Sequence, residues 1–173
     1  TSTIALEAYV RPIMSRYITQ LENELPTNAS LRIMKSDGGV MRAKRVREQA
    51  INTSLSGPAA GVMGAYYVSK LAGYDQIITF DMGGTTAKAS VLEGGLPTWT
   101  TEYEVGEGIT LSSKLTKGRG HALRLPVIDL AEVGTGGGSI VRVDEGGGIK
   151  VGPESSGANP GPACYNIGGT EPT

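Results

Sequence analysis

The chain has 173 residues and a formal net charge of −1, with 16 Lys and Arg against 17 Asp and Glu. That length holds one or at most two domains with a real core, and the balanced charge leaves no basic footprint for nucleic acid or an anionic membrane. A single Cys excludes an intrachain disulfide and suits a reducing compartment, so a cytoplasmic location is expected.

No apolar run approaches membrane-spanning length, and nothing at the N-terminus resembles a signal peptide. The 26 Gly are about twice the usual share. They cluster at 37–39, 57–64, 83–84, 134–138, 146–148 and 157–169 without a fixed period, which points to tight turns or ligand-facing loops. The chain begins without Met and ends on Glu171-Pro172-Thr173, and it reads as a piece cut from something longer.

In chain order, Ile4, Val10, Ile13, Met14, Tyr17, Ile18, Leu21 and Leu25 recur at helical spacing, with Pro12 expected to kink or restart the helix. Leu31 to Met34 reads as a short strand, turned by Ser36-Asp37-Gly38-Gly39 and resumed at Val40-Met41. Arg42, Lys44, Arg45 and Arg47 read as a solvated helix face in preference to an anion site. A second helix is expected from Ser56, as N-cap, with Pro58 in its first turn and Gly73 ending it. Gly57, Ala60, Gly61, Gly64 and Ala65 make one side of that helix small enough for another backbone to pack against it.

The stretch Ile77-Ile78-Thr79-Phe80-Asp81-Met82-Gly83-Gly84-Thr85-Thr86 follows. Gly83 and Gly84 allow a tight turn whose N–H groups can approach a ligand without a Cβ in the way, and successive amides of this kind form an anion nest. Asp81 at the strand end could hold a hydrated Mg²⁺, since hard cations take carboxylate oxygen and keep their waters. Thr85 and Thr86 can donate hydroxyl hydrogen bonds to phosphate. The competing reading is an ordinary hairpin with a Gly-Gly turn.

Ala87 to Leu92 is the expected hairpin partner, and Thr98 to Val105, rich in Thr, Tyr and Trp, a third strand. Residues 106–124 are poorly patterned and read as a long loop or flap, and His121, without Cys or His neighbours, as a surface residue. Val127 to Val133 reads as a strand leading into Gly134-Thr135-Gly136-Gly137-Gly138-Ser139, a second candidate phosphate or adenosine contact that lacks the lysine of a P-loop. Asp129 and Glu132 are candidate metal ligands, but on one strand they would face opposite sides, so a bulge or loop would have to bring them together. Ile140 to Val143, the Asp144-Glu145-Gly146-Gly147-Gly148 turn and Ile149-Lys150-Val151 follow as a hairpin, and Asn159 to Tyr165 as a rigid turn in which Cys164 is expected to be a buried structural thiol.

The order helix, strand, Asp-Gly-Gly-Thr hairpin, third strand resembles the second half of the actin-like, ribonuclease H-like ATPase fold of sugar kinases and heat-shock ATPases. More specifically, the chain resembles the hydantoinase A/5-oxoprolinase family, which includes subunits of ATP-dependent ketone carboxylases. The matching stretches are Ile33-Met34-Lys35-Ser36-Asp37-Gly38-Gly39, Ser56-Gly57-Pro58-Ala59-Ala60-Gly61, Phe80 to Thr86, Gly136-Gly137-Gly138-Ser139-Ile140, and Pro160 to Tyr165 with Gly168-Gly169. The resemblance implies an α/β half-domain with a mixed sheet and flanking helices. On this reading residues 1–53 hold the preceding helix and strands, 54–105 the connecting helix and phosphate-loop hairpin, and 106–173 a Gly-rich loop and strand region.

It further implies ATP-dependent opening of a cyclic amide, such as a hydantoin or 5-oxoproline, by phosphorylation of the ring carbonyl. Implied roles are Asp81 as catalytic residue and Mg²⁺ holder through water, Gly83, Gly84, Thr85 and Thr86 for the phosphates, and Gly136, Gly137, Gly138 and Ser139 for the nucleotide. A B-type partner subunit is implied as well. Many relatives continue the phosphate turn with a second aspartate, whereas here Ala87-Lys88 follows, so Lys88 either neutralises phosphate charge or faces solvent from the second hairpin strand. Family chains carry another Asp-Gly-Gly-Thr turn near the N-terminus that is absent here, so this stretch supplies one jaw of a cleft and is expected to lack turnover alone. The rival readings are a sugar- or acid-kinase-like phosphotransferase and a non-catalytic subunit of a carboxylase complex.

Overall fold

The computed structural model describes residues 2–105 and 120–173, so most of the expected loop or flap over 106–124 lies outside the described residues. The architecture is mixed α/β, with small antiparallel sheets and, among the described residues, three α-helices. The chain divides into two compact units. One holds the described residues up to Thr79, then from Ser90 to Val105 and from Gly120 to Asp129; the other holds Phe80–Ala89 and Leu130–Thr173.

In the first unit, α1 (Ser2–Glu24) runs through Pro12 without restarting. It buries Ile18, which joins Met41, Ala43 and Val46, with Met14, Leu31 and Ile33 packed around them. Those partners come from β1 (Arg32–Met34) paired antiparallel with β2 (Val40–Arg42), and from the short α2 (Ala43–Glu48). The basic run is a paired helix face: Arg45 bonds Glu48, and Arg47 bonds Glu22 on α1.

The Lys35-Ser36-Asp37-Gly38-Gly39 turn between β1 and β2 is a junction. Buried Ser36 receives the Leu55 amide on its Oγ at 3.0 Å and donates that hydroxyl to the Asn52 carbonyl at 2.8 Å, while its own carbonyl accepts from the Ile128 amide at 2.9 Å. Burial raises the Asp37 carboxyl, but hydrogen bonds from Lys35 and the Gly39 amide, together with the Lys35 charge, outweigh it and hold the group below the ordinary carboxylate value. Gly38 has φ 85, and a Cβ there would press on Met63, which is why the turn needs glycine.

Helix α3 (Ser56–Ala72) has Leu55, not Ser56, at its N-cap, with no side-chain cap. Ser36 on the neighbouring turn accepts the amide of the N-cap residue Leu55 itself. Gly73 ends the helix in the left-handed conformation, as its position predicts. On the small face, an added Cβ at Gly57, Gly61 or Gly64 would meet nothing within 4 Å, so no backbone among the described residues packs there. The helix is anchored through Ala59 and Val62 instead.

Strand β3 (Ile77–Met82) is followed by the 83–86 turn and β4 (Ala87–Glu93), its neighbour in the sheet. The run expected as one third strand is three short ones, β5 (Leu96–Pro97), β6 (Trp99–Thr100) and β7 (Tyr103–Val105). Each has a different partner: β5 pairs with β4, β6 with β9 (Val127–Ile128), and β7 with β8 (His121–Leu123). A Thr100–Glu102 side-chain turn separates the second from the third. The sheet's other strand is β10 (Ala131–Val133), which pairs antiparallel with β4. Order in the sheet is β10-β4-β3, so among the described residues β3 has one edge unpaired, with Ile78, Phe80 and Met82 exposed along one face.

The second unit also holds β11 (Ser139–Val143) and β12 (Ile149–Ser155), an antiparallel hairpin whose turn is closed by the Asp144 carboxylate accepting the Gly146 and Gly148 amides. Cys164 lies in a short 3₁₀ turn and is exposed, contrary to the buried thiol expected, and His121 is exposed as expected. No helix among the described residues is long and apolar enough to cross a membrane.

Candidate functional site

All the residues of the two glycine segments belong to the second unit. β3 delivers Asp81 to the end of the strand, exposed, with its carboxylate making no hydrogen bond or ion pair to another described residue. The turn that follows is closed by the Gly83 amide donating to the Thr86 carbonyl at 3.0 Å. The amides of Gly84 and Thr85 have no protein acceptor among the described residues. The turn therefore leaves two adjacent N–H donors one residue pair beyond an open carboxylate.

The 136–139 loop spends its donors on protein. The Gly136 amide donates to Ser139 Oγ at 2.9 Å, Gly137 to the Gly83 carbonyl at 2.9 Å, and Gly138 to the Gly84 carbonyl at 2.7 Å. Ser139 is buried and faces inward. A third segment completes the stack, since the Ser156 amide donates to the Gly138 carbonyl at 2.8 Å. These glycines are where backbone meets backbone. A Cβ on Gly136 would stand 2.7 Å from the Gly83 oxygen, one on Gly84 2.9 Å from Gly157, and one on Gly138 2.8 Å from the Gly84 oxygen.

Beside the turn, Lys88 Nζ lies 2.7 Å from Thr86 Oγ1 and 3.2 Å from Glu132 Oε1, with about a fifth of each charged side chain exposed. The contact follows from register, because Glu132 on β10 stands opposite Lys88 on β4. Lys88 thus turns toward Thr86. Asp129 lies between β9 and β10, in the first unit, where its amide donates to the Thr98 carbonyl at 2.9 Å. Its Oδ1 is buried without a hydrogen-bond partner among the described residues. Glu132 is taken by Lys88, and no group of three or more His, Cys, Asp or Glu among the described residues could hold a metal. The expected Asp129 and Glu132 metal pair has no such cluster around it.

The residues that reasoning from sequence missed are Lys88 and Glu132 as a pair. The signal was the lysine two places after Thr86, which on a strand shares its face; the partner strand could not be read from the sequence.

The family model described as hydantoinase/oxoprolinase matches residues 1–173. The chain belongs to the hydantoinase/oxoprolinase family. It is 45% identical over 176 residues to an uncharacterized protein of Methanocaldococcus jannaschii, covering 100% of this chain and 26% of that one. It is 37% identical to the caprolactamase subunit alpha of Pseudomonas jessenii, covering 100% and 23%. The solved ATP-dependent caprolactamase of that organism superposes with a TM-score of 0.69 at 35% identity over 100% of this chain and 24% of that one. A nucleotide-free acetone carboxylase structure, from a study of ATP-dependent acetone carboxylation, gives 0.67 at 28% identity over 95% and 21%. The chain spans about a quarter of the length of the curated relatives it matches first.

Proposed function

We propose that this chain is the phosphate-binding part of an actin-like ATPase half within an ATP-dependent cyclic-amide hydrolase. The observation that carries the reading is the pair of unspent amides at Gly84 and Thr85 next to the open carboxylate of Asp81. Backbone N–H groups at a glycine turn suit phosphate oxygens, and an exposed carboxylate without a protein partner suits a hydrated divalent cation. The residues present therefore fit both groups.

ATP, bound with Mg²⁺, supplies the chemistry: transfer of its terminal phosphoryl group to the ring carbonyl oxygen opens the amide carbon to water. The chain's own part is positioning and charge stabilisation, the main terms in phosphoryl transfer. Gly84 and Thr85 amides hold phosphate oxygens, with the Thr85 and Thr86 hydroxyls as further donors. Asp81 would hold the hydrated Mg²⁺. The 136–139 loop enters as a brace, since its amides hold the carbonyls of Gly83 and Gly84 and so set the direction in which the turn's remaining N–H groups point. A cytoplasmic whole protein working with a partner subunit belongs to the same reading, because the similar caprolactamase chain is named as one subunit of an enzyme.

The test is ATP hydrolysis by the full-length protein with hydantoin, N-methylhydantoin, 5-oxoproline, a lactam and a ketone, with products identified. ADP with a ring-opened acid, lost in Asp81→Asn, is the expected result. ADP with a stable phospho-metabolite would mean a kinase. Activity and nucleotide affinity untouched by Asp81→Asn would mean a scaffolding subunit.

A further inference from the structure

We propose that Lys88, held by Glu132, is a positioning residue for anion binding at the 83–86 turn, acting through the Thr86 hydroxyl. The inference rests on the phosphate reading of that turn and deepens it. A lysine ammonium carries donors and no acceptor, whereas a threonine hydroxyl has one proton to give and lone pairs to receive. At 2.7 Å between Lys88 Nζ and Thr86 Oγ1, the lysine must donate and the threonine accept. With one lone pair of Oγ1 taken, the hydroxyl proton remains available to a second acceptor. A phosphate oxygen on the neighbouring Gly84 and Thr85 amides would be that acceptor.

Glu132 sets the geometry from behind. Its Oε1 lies 3.2 Å from Nζ, and the two residues are direct cross-strand partners, so the ammonium is pulled to the β10 side and toward Thr86 rather than into solvent. Both side chains are about four-fifths covered, which weakens screening of the lysine charge. That charge then lies within one hydroxyl of the expected phosphate. A carboxylate at position 88 would reverse both effects: it would accept the Thr86 proton and repel the anion.

The experiment uses the full-length protein, with titration calorimetry of ADP and a non-hydrolysable ATP analogue and with steady-state ATP kinetics. Lys88→Met is expected to weaken analogue binding and raise KM for ATP about tenfold or more, the size of one hydrogen bond to a charged group, with a smaller change in kcat. Lys88→Arg, also donor-only, restores most of the loss. Thr86→Val loses a similar amount, and the double variant is little worse than either single one, because both remove the same link. Glu132→Gln, which keeps a polar partner and is the readout should Lys88→Met fail to fold, gives an intermediate loss. Unchanged affinity in a folded Lys88→Met, or fully additive losses in the double variant, would overturn the inference while leaving the phosphate site standing. A wild-type protein that binds neither nucleotide would overturn both.

Discussion

The two units hold themselves together in different ways. The first is built on side chains: Ile18, Val46, Val62, Leu92, Leu123 and Ile128 are all nearly or fully buried. In the second, the buried side chains among the described residues are chiefly Ala87, Leu130, Ser139 and Pro162, while Val143, Ile149 and Val151 stand exposed. Its order comes from backbone pairing among the 83–84, 136–138 and 156–157 segments. Glycine thus has two jobs there. On the proposed reading it lets a ligand approach, and in the structure it lets three stretches of backbone touch. A loop assembled by hydrogen bonds has its direction set by those bonds, which suits a unit whose proposed task is to aim amides.

Several substitutions would break or sharpen this contrast. The largest expected effect is in the side-chain unit, where Ile18→Ala should cost about 2–5 kcal/mol in denaturant unfolding by opening a cavity. In the backbone unit the opposite change does the damage: Gly138→Ala overpacks the stack and should cost about 1–3 kcal/mol, together with nucleotide affinity in the full-length protein. Equal tolerance of alanine at 138 and at an open helix position would refute the backbone account. Ser36→Ala removes the two hydroxyl bonds and leaves the Leu55 amide unsatisfied, at about 1–3 kcal/mol by the same measurement.

Asp37 supplies a pH dependence. Its folded carboxyl is held down by Lys35 and Gly39 against burial, so its contribution is complete above the unfolded carboxylate value of about 3.9 and disappears as pH falls through the lower folded value. Unfolding followed from pH 7 to pH 2 should show this acid loss, and Asp37→Asn should flatten it. The smallest effect has the other sign. Gly61→Ala or Gly64→Ala on the open face of α3 should raise stability by about 0.5–1 kcal/mol, since each sits in a helix interior with nothing nearby.

Local order was readable from sequence because it depends on neighbours along the chain. The α1 periodicity, the Gly73 cap, the 83–86 turn and the Asp144 turn are of this kind. Pro12 did not stop α1, whose Ile18 face is secured by packing against β2 and α2. The 98–105 run looked continuous by composition, yet its strands answer to three partners far apart in sequence. The Leu55 amide at the start of α3 is held by Ser36, nineteen positions earlier, and no local pattern contains that. At the site, the residue types were legible, while the spending of the 136–138 amides on Gly83 and Gly84 was not. It is a contact between backbones more than fifty residues apart, and a glycine sequence looks the same whether its N–H groups face a ligand or a neighbour.

The open border of β3 has a practical outcome for anyone producing residues 1–173 by themselves. Ile78, Phe80 and Met82 form an uncharged row beside backbone groups that no described residue pairs, an invitation for a second molecule to zip alongside. Yield should fall with concentration, and a single lysine at position 80 is the economical remedy to try.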